Sequence, residues 1–189
     1  MTDFEICRWD GLDDAEQRWL VADIDHVFFS SSNTQSFETE AAKAAFRARW
    51  LGRYLLHFPQ YAFLARDGAG RAIGYIVGNV ADPARDPIFS DLPFLSAFAD
   101  ASARYPAHLH VNVVEAYRGQ AIGARLIDTF ALAARDAGAN GVHVVTQRGA
   151  RNVRFYNANG FQERAAVSLG ETELVFLGRD LGRDLAGRT

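Results

Sequence analysis

Arg118-Gly119-Gln120-Ala121-Ile122-Gly123 lies where one periodicity gives way to another. Before it, Leu109 to Val114 is apolar apart from His110 and Asn112, the pattern of a buried strand. After it, Ile122, Leu126, Ile127, Phe130, Ala133 and Ala134 recur at helical spacing. A glycine-bearing turn therefore leaves a strand and opens an amphipathic helix. The first turn of a helix carries main-chain N–H groups without internal acceptors, together with the positive end of the helix dipole. Glycine lets a phosphate come close to that backbone. The stretch reads as a site for a phosphate-bearing cofactor, with an ordinary tight strand-to-helix turn as the alternative. It is neither a dinucleotide fingerprint nor a P-loop, because the third glycine and the Lys-Ser/Thr pair are missing.

Around this centre, 189 residues suffice for one domain over 1–177, followed by a polar tail over 178–189. Hydrophobic residues make up 49%, enough for a real core. No apolar run approaches the roughly 18 residues of a membrane helix, and Met1 to Trp9 lacks the order of a signal peptide. Cys7 is the single cysteine, which excludes an intrachain disulfide and a cysteine-based metal site. The expectation is a cytoplasmic protein without membrane association. A net charge of −3 argues against a nucleic-acid partner. No HExxH-type spacing joins His110 to His26, His57 or His143, and no metal is expected.

Phe4 to Arg8 alternates as a strand, and Asp13 or Asp14 can cap a helix running to about Phe29. Ala42, Phe46, Trp50 and Tyr54 predict a second helix over 38–56. Strands over 61–66 and 72–80 flank the hairpin turn Asp67-Gly68-Ala69-Gly70. Residues 81–106 form a proline-rich insertion, with a short helix predicted from Pro93 to Ala103. Beyond the turn come a helix to Ala137, a strand over 141–146, a short helix over 150–159, and strands over 161–168 and 171–177. This order predicts an α/β (α+β) fold with a parallel pairing inside a mixed sheet.

The strand, the Arg-x-x-(Gly/Ala)-x-Gly turn, the helix and next strand, and then Phe155-Tyr156-x-x-x-Gly160-Phe161 resemble the GNAT N-acetyltransferase superfamily. Element order supports the resemblance across nearly the whole chain, while its specific motifs fall within Leu109–Phe161. Tyr105 to Val113, with the insertion before it, is similar to the acetyltransferase-like C-terminal domain of O-GlcNAcase and free-standing bacterial relatives. The resemblance implies a mostly antiparallel twisted sheet flanked by helices, with acetyl-CoA as cofactor. It implies either N-acetyl transfer to an unidentified small-molecule or peptide amine, or a non-catalytic acetyl-CoA-binding module with a regulatory role. A homodimer is compatible with both.

By the same resemblance, the diphosphate sits on the turn formed by Arg118, Gly119, Gln120, Ala121, Ile122, Gly123 and Ala124. Ala121 replaces the usual first glycine; its N–H remains, but its methyl group can crowd the phosphate. Arg118 can assist the phosphates or simply be solvated, and Arg125 can face solvent or the adenosine 3′-phosphate. The main chain of Val111, Val113 and Val114 would pair with the pantetheine arm and polarise the carbonyl. Tyr156 matches the tyrosine that protonates the departing thiolate, or is a packed core residue. Asn152 can bond the pantetheine amide or cap its helix; the family's asparagine seven residues before the tyrosine is Gly149 here. His108 and His110 share one face of the strand and are candidate bases, with packing against the insertion as the alternative. The first two helices, the loop over 30–36 and the insertion would receive the acceptor. Asp23, Asp25, Glu38 and Glu40 could attract its charge, and Phe89, Phe94 and Tyr105 could wall the cleft.

Overall fold

Asp13 starts the first helix through its side chain: Oδ1 accepts from the N–H groups of Ala15 and Glu16 at 2.8 and 2.9 Å. Glu16 Oε2 in turn accepts from the Asp13 N–H at 3.2 Å, closing a capping box. In this computed structural model, which describes residues 3–182, the elements that follow from such local signals are β1 (Phe4–Arg8), α1 (Asp14–Ser31), α2 (Glu40–Arg47), α3 (Arg53–His57), β2 (Phe63–Asp67) and β3 (Ala72–Asn79). Then come α4 (Ala99–Arg104), β4 (Ala107–Val113), α5 (Ile122–Asp136), β5 (Gly141–Gln147), α6 (Arg151–Ala158), β6 (Gln162–Leu169) and β7 (Thr172–Asp180). The strand order is β1-β2-β3-β4-β5-β7-β6. Pairs β1/β2, β2/β3, β5/β7 and β6/β7 are antiparallel, and β4/β5 is parallel at Ala107–Val142 and His108–His143. This is the expected mixed, mostly antiparallel sheet with helices. No helix among the described residues is long and apolar enough to cross a membrane.

Two compact units share the chain: residues 3–78 with 110–130, and residues 79–109 with 131–182. In the first, α1 buries Leu20, Ile24, Val27 and Phe28 along one face. Asp23 is buried on that face, accepting from Arg71 Nε at 2.7 Å, from Arg71 Nη2 and from the Ala72 N–H at 3.1 Å. The Arg71 guanidinium holds this carboxyl below its ordinary value. The pairing ties α1 to the start of β3. The hairpin turn forms as predicted: Asp67 Oδ1 accepts from the Ala69 and Arg71 N–H groups, and Gly70 supplies φ 81°.

The helix predicted over 38–56 is not continuous. α2 ends at Arg47, a π turn spans Ala48–Gly52, and α3 resumes at Arg53. The extra residue in that turn re-aims Trp50 and Tyr54.

In the second unit, the insertion folds as 3-10 turns that each begin on a proline: Pro83–Arg85, Pro87–Phe89 and Pro93–Phe98. Proline fits there because the first residue of such a turn needs no N–H partner. Asp82 and Asp86 cap the first two by accepting from the Ala84 and Ile88 N–H groups at 3.0 Å. The predicted helix from Pro93 is therefore 3-10 up to Phe98 and α-helical only over Ala99–Arg104. Phe98 and Tyr105 pack on Phe176, with centroids 5.6 and 6.2 Å away. β7 runs to Asp180, past its predicted end at Leu177, and buried Leu181 donates its N–H to Asn140 O at 3.0 Å. Of the predicted polar tail, 183–189 lie outside the described residues.

Candidate functional site

The end of β4 sets the geometry in the first unit. The Val114 N–H donates to Ile73 O at 3.0 Å. Main-chain groups of successive strand residues point to opposite sides, so Val111 and Val113 direct theirs away from β3. Val114, named with them as an arm-binding residue, has its N–H committed to β3, which removes that N–H from the implied pairing. The Val113 carbonyl accepts from Arg118 Nε at 3.1 Å, and Ser31 Oγ approaches it at 3.5 Å.

From there the chain makes a 3-10 turn over Glu115–Tyr117, passes Gly119 at φ 78° and Ala121 at φ 62°, and enters α5. Ala121 is the only non-glycine residue at positive φ among the described residues. The cost of an alanine at the usual glycine position is thus conformational. The first α5 amide to reach a carbonyl across this start is that of Arg125, which donates to Ala121 O at 3.0 Å. The amides of Ile122, Gly123 and Ala124 precede it and have no acceptor inside the helix. Ile122 anchors the turn with a buried side chain, while Gly119 and Ala121 are exposed and a Cβ on Gly119 would meet nothing within 4 Å. Bare amides, a positive dipole end and open space match the chemistry of a diphosphate. Arg118 folds back to Val113 O and approaches Glu115 at 3.9 Å, bracing the turn. Gln120 Nε2 reaches Ala116 O at 3.5 Å, and Arg125 lies 4.3 Å over the Phe4 ring.

On β4, in the same unit, His110 is half-buried between two aromatic side chains of the π turn and α3. Its Nε2 is 3.1 Å from Tyr54 Oη, and its ring lies edge-on to Tyr54 and Trp50 at 5.3 and 5.5 Å. Asn112, next on the same strand face, donates from Nδ2 to Tyr75 Oη at 2.6 Å. His110 and Asn112 open onto a cleft of about 280 Å³ with Phe28, Phe46 and Trp50 as its apolar wall. Ser32, Asn33 and Thr34 complete the lining, which contains no carboxylate. Asp23 and Asp25, expected to attract an amine, are instead bonded to Arg71 and to Arg47, the latter at 2.6 Å. Glu38 is exposed, and Glu40 lines a separate groove with Lys43.

In the second unit His108 is buried, edge-on to Phe89 at 4.8 Å and 5.8 Å from His143. It packs against the insertion, whereas His110 borders the cleft. Phe89 and Tyr105 are core residues there, not cleft walls; Phe94 is half-buried. His143 stacks on Phe176 at 4.3 Å and donates Nδ1–H to Tyr105 O. Burial brings its pKa down to about 4, so the ring is neutral. Tyr156 is buried between Phe155 and Phe161, both with centroids at 5.4 Å. Burial holds its phenol far above the ordinary value, so the proton stays on. Asn152 Oδ1 accepts from Thr146 Oγ1 at 3.0 Å, and the N-cap of α6 is Ala150, so Asn152 does not cap the helix. Gly149 takes φ 77°. Among the described residues, no three His, Cys, Asp or Glu side chains gather as a metal site.

The second helix and the loop over 30–36 are the segments expected to receive the acceptor, but nothing in the sequence singles out Trp50, Tyr54 or Ser31 within them, and Tyr75 lies outside them. One usable signal was the strict four-residue spacing of Ala42, Phe46, Trp50 and Tyr54.

Comparison with known proteins bears on the family and the fold. The sequence model of a family described as acetyltransferase (GNAT) domain matches residues 58–163. Among solved structures, SsHAT superposes with a TM-score of 0.72 at 21% identity, over 96% of this chain and 100% of that one. PH1933 from Pyrococcus horikoshii OT3 gives 0.68 at 14% identity, over 94% and 98%. YncA of Salmonella typhimurium, a putative acetyltransferase solved with its cofactor acetyl-CoA, gives 0.56 at 18% identity, over 98% of each. At these identities the likeness is one of fold.

Proposed function

This chain belongs to the acetyltransferase (GNAT) family, and from that premise we propose that it transfers an acetyl group from acetyl-CoA directly to an amine nitrogen. The observation that carries the reading is the run of bare amides at Ile122, Gly123 and Ala124 ahead of the first α5 hydrogen bond at Arg125. Acetyl-CoA supplies a thioester whose carbon–sulfur bond breaks as the nitrogen–carbon bond forms. The three amides and the helix dipole hold the diphosphate. Val113 offers a main-chain N–H on the side away from β3, oriented to stabilise a carbonyl oxygen that gains charge. Tyr156, fully protonated in its buried setting, is the proton donor for the sulfur. His110 takes the proton that the attacking nitrogen sheds, with Tyr54 holding the ring. His108, packed against Phe89, is not used as the base. Within the family, Tyr105–Val113 and the 3-10 insertion support kinship with the acetyltransferase-like domain of O-GlcNAcase.

The test compares wild type with Tyr156→Phe. We expect amine-dependent thiol release from acetyl-CoA to fall in the variant by about 10²-fold or more, while acetyl-CoA affinity holds. Tight acetyl-CoA binding with no turnover of any amine identifies a binding module and overturns the transferase reading.

A further inference from the structure

We propose that the acceptor is a small monoamine on an apolar, aromatic-sized stem, seated in the cleft beside His110, with Trp50 determining specificity. The inference rests on the acetyl-transfer reading for what happens to the amine, and on the cleft alone for which amine enters.

The cleft has an apolar wall of Phe28, Phe46 and Trp50, while His110 and Asn112 line its polar side. At about 280 Å³ it lies just below the usual range of ligand sites, about 300 to 1,000 Å³. An aromatic ring with a short chain suits that space, because flat apolar surfaces meet flat apolar surfaces. Charge makes the second selection. The lining holds no carboxylate, and Asp23 and Asp25 are neutralised by Arg71 and Arg47. A second ammonium group would leave water without a counter-charge. A single amine group escapes that penalty by entering as the free base, its ammonium proton left in water; its nitrogen then gives one proton to His110 as it bonds to the acetyl carbon and the carbon–sulfur bond breaks. The π turn over Ala48–Gly52 places Trp50 edge-on to His110 at 5.5 Å, so the aromatic wall and the base belong to one arrangement. Such turns recur at functional sites.

The probes are 2-phenylethylamine and 1,4-diaminobutane, tested as acetyl acceptors by thiol release and as ligands by calorimetry with and without CoA. We expect KM and Kd for 2-phenylethylamine to be at least about tenfold lower than for the diamine. Trp50→Ala raises both for 2-phenylethylamine by about tenfold, leaves acetyl-CoA affinity unchanged, and is rescued by Trp50→Phe. Should the alanine variant not fold, the wild-type ranking and the phenylalanine variant decide. Equal or better use of the diamine overturns the proposal, as does 2-phenylethylamine binding that ignores Trp50. If acetyl-CoA fails to bind, the transfer reading falls, while calorimetry of 2-phenylethylamine on the free protein still decides the cleft.

Discussion

The hydroxyl of Tyr54 lies 3.1 Å from Nε2 of His110, joining the helix after the π turn to the strand that carries the candidate base. A base must be neutral to accept a proton, so kcat rises with pH until His110 has lost its own. His110→Gln is expected to lower kcat by about 10²–10⁴-fold and to remove that limb of the pH–rate profile. Tyr54→Phe is expected to lower kcat less and to displace the limb, because Tyr54 positions the ring without touching the reactants. Acetyl-CoA affinity measured by calorimetry stays unchanged in both.

Ala121 occupies φ 62° at the entry to α5. A left-handed alanine costs about 1–2 kcal/mol, part of which glycine gives back as chain entropy. Ala121→Gly should raise stability by about 0.5–1 kcal/mol in urea titration, with acetyl-CoA affinity equal or tighter. Ala121→Val should lose stability, since a β-branched residue resists this conformation more strongly.

The strand, turn and helix proposed to hold the cofactor are legible because their signals are local. Strand periodicity, a turn glycine and helix periodicity sit within one short stretch around Arg118–Gly123, and Asp13 declares its helix in the same way. The commitment of the Val114 N–H is not local: it depends on the register of β4 against Ile73, which one strand cannot reveal. The acceptor half is harder still. His110 and Asn112 stand out in an apolar run, but their partners Tyr54 and Tyr75 lie 56 and 37 residues earlier. The π turn left a trace in the spacing of Ala42, Phe46, Trp50 and Tyr54. At about 100° per residue, steps of four drift by about 40° each, or about 120° over three steps. One extra residue in a π turn takes back about 100° of this. An unbroken helix would set Ala42 and Tyr54 about 120° apart, whereas the interrupted one brings Trp50 and Tyr54 together against His110 and leaves Phe46 and Trp50 on one cleft.

Gly141 begins β5 against a buried ring. A Cβ built there would lie 2.4 Å from Tyr105 Cδ1 and 3.2 Å from Arg104 O. Neither neighbour can yield cheaply, since Tyr105 is fully packed against Phe176. Gly141→Ala should cost about 1–3 kcal/mol, read as a lower urea midpoint with an unchanged slope.

His143 sets an acid limit on stability. Its folded pKa of about 4 lies below the roughly 6.5 of an unfolded histidine, so the unfolded chain binds more protons between those values. The stability it contributes is complete above about pH 6.5 and is lost as pH falls toward 4, a change on the order of 3 kcal/mol. Asp23, held down by Arg71, acts in the same sense, but only below about pH 3.9. His143→Gln should therefore flatten the fall in urea midpoint between pH 6.5 and 4.5. An unchanged slope in that variant would show that another group carries the acid sensitivity.

Amide NMR shifts during a CoA titration report whether the amides opening α5 grip the diphosphate of acetyl-CoA. Saturable shifts are expected, largest at Ile122, Gly123 and Ala124, with 3′-dephospho-CoA reproducing the pattern at those residues. Saturable binding that leaves those three amides unmoved, or no binding at millimolar CoA, would contradict that grip.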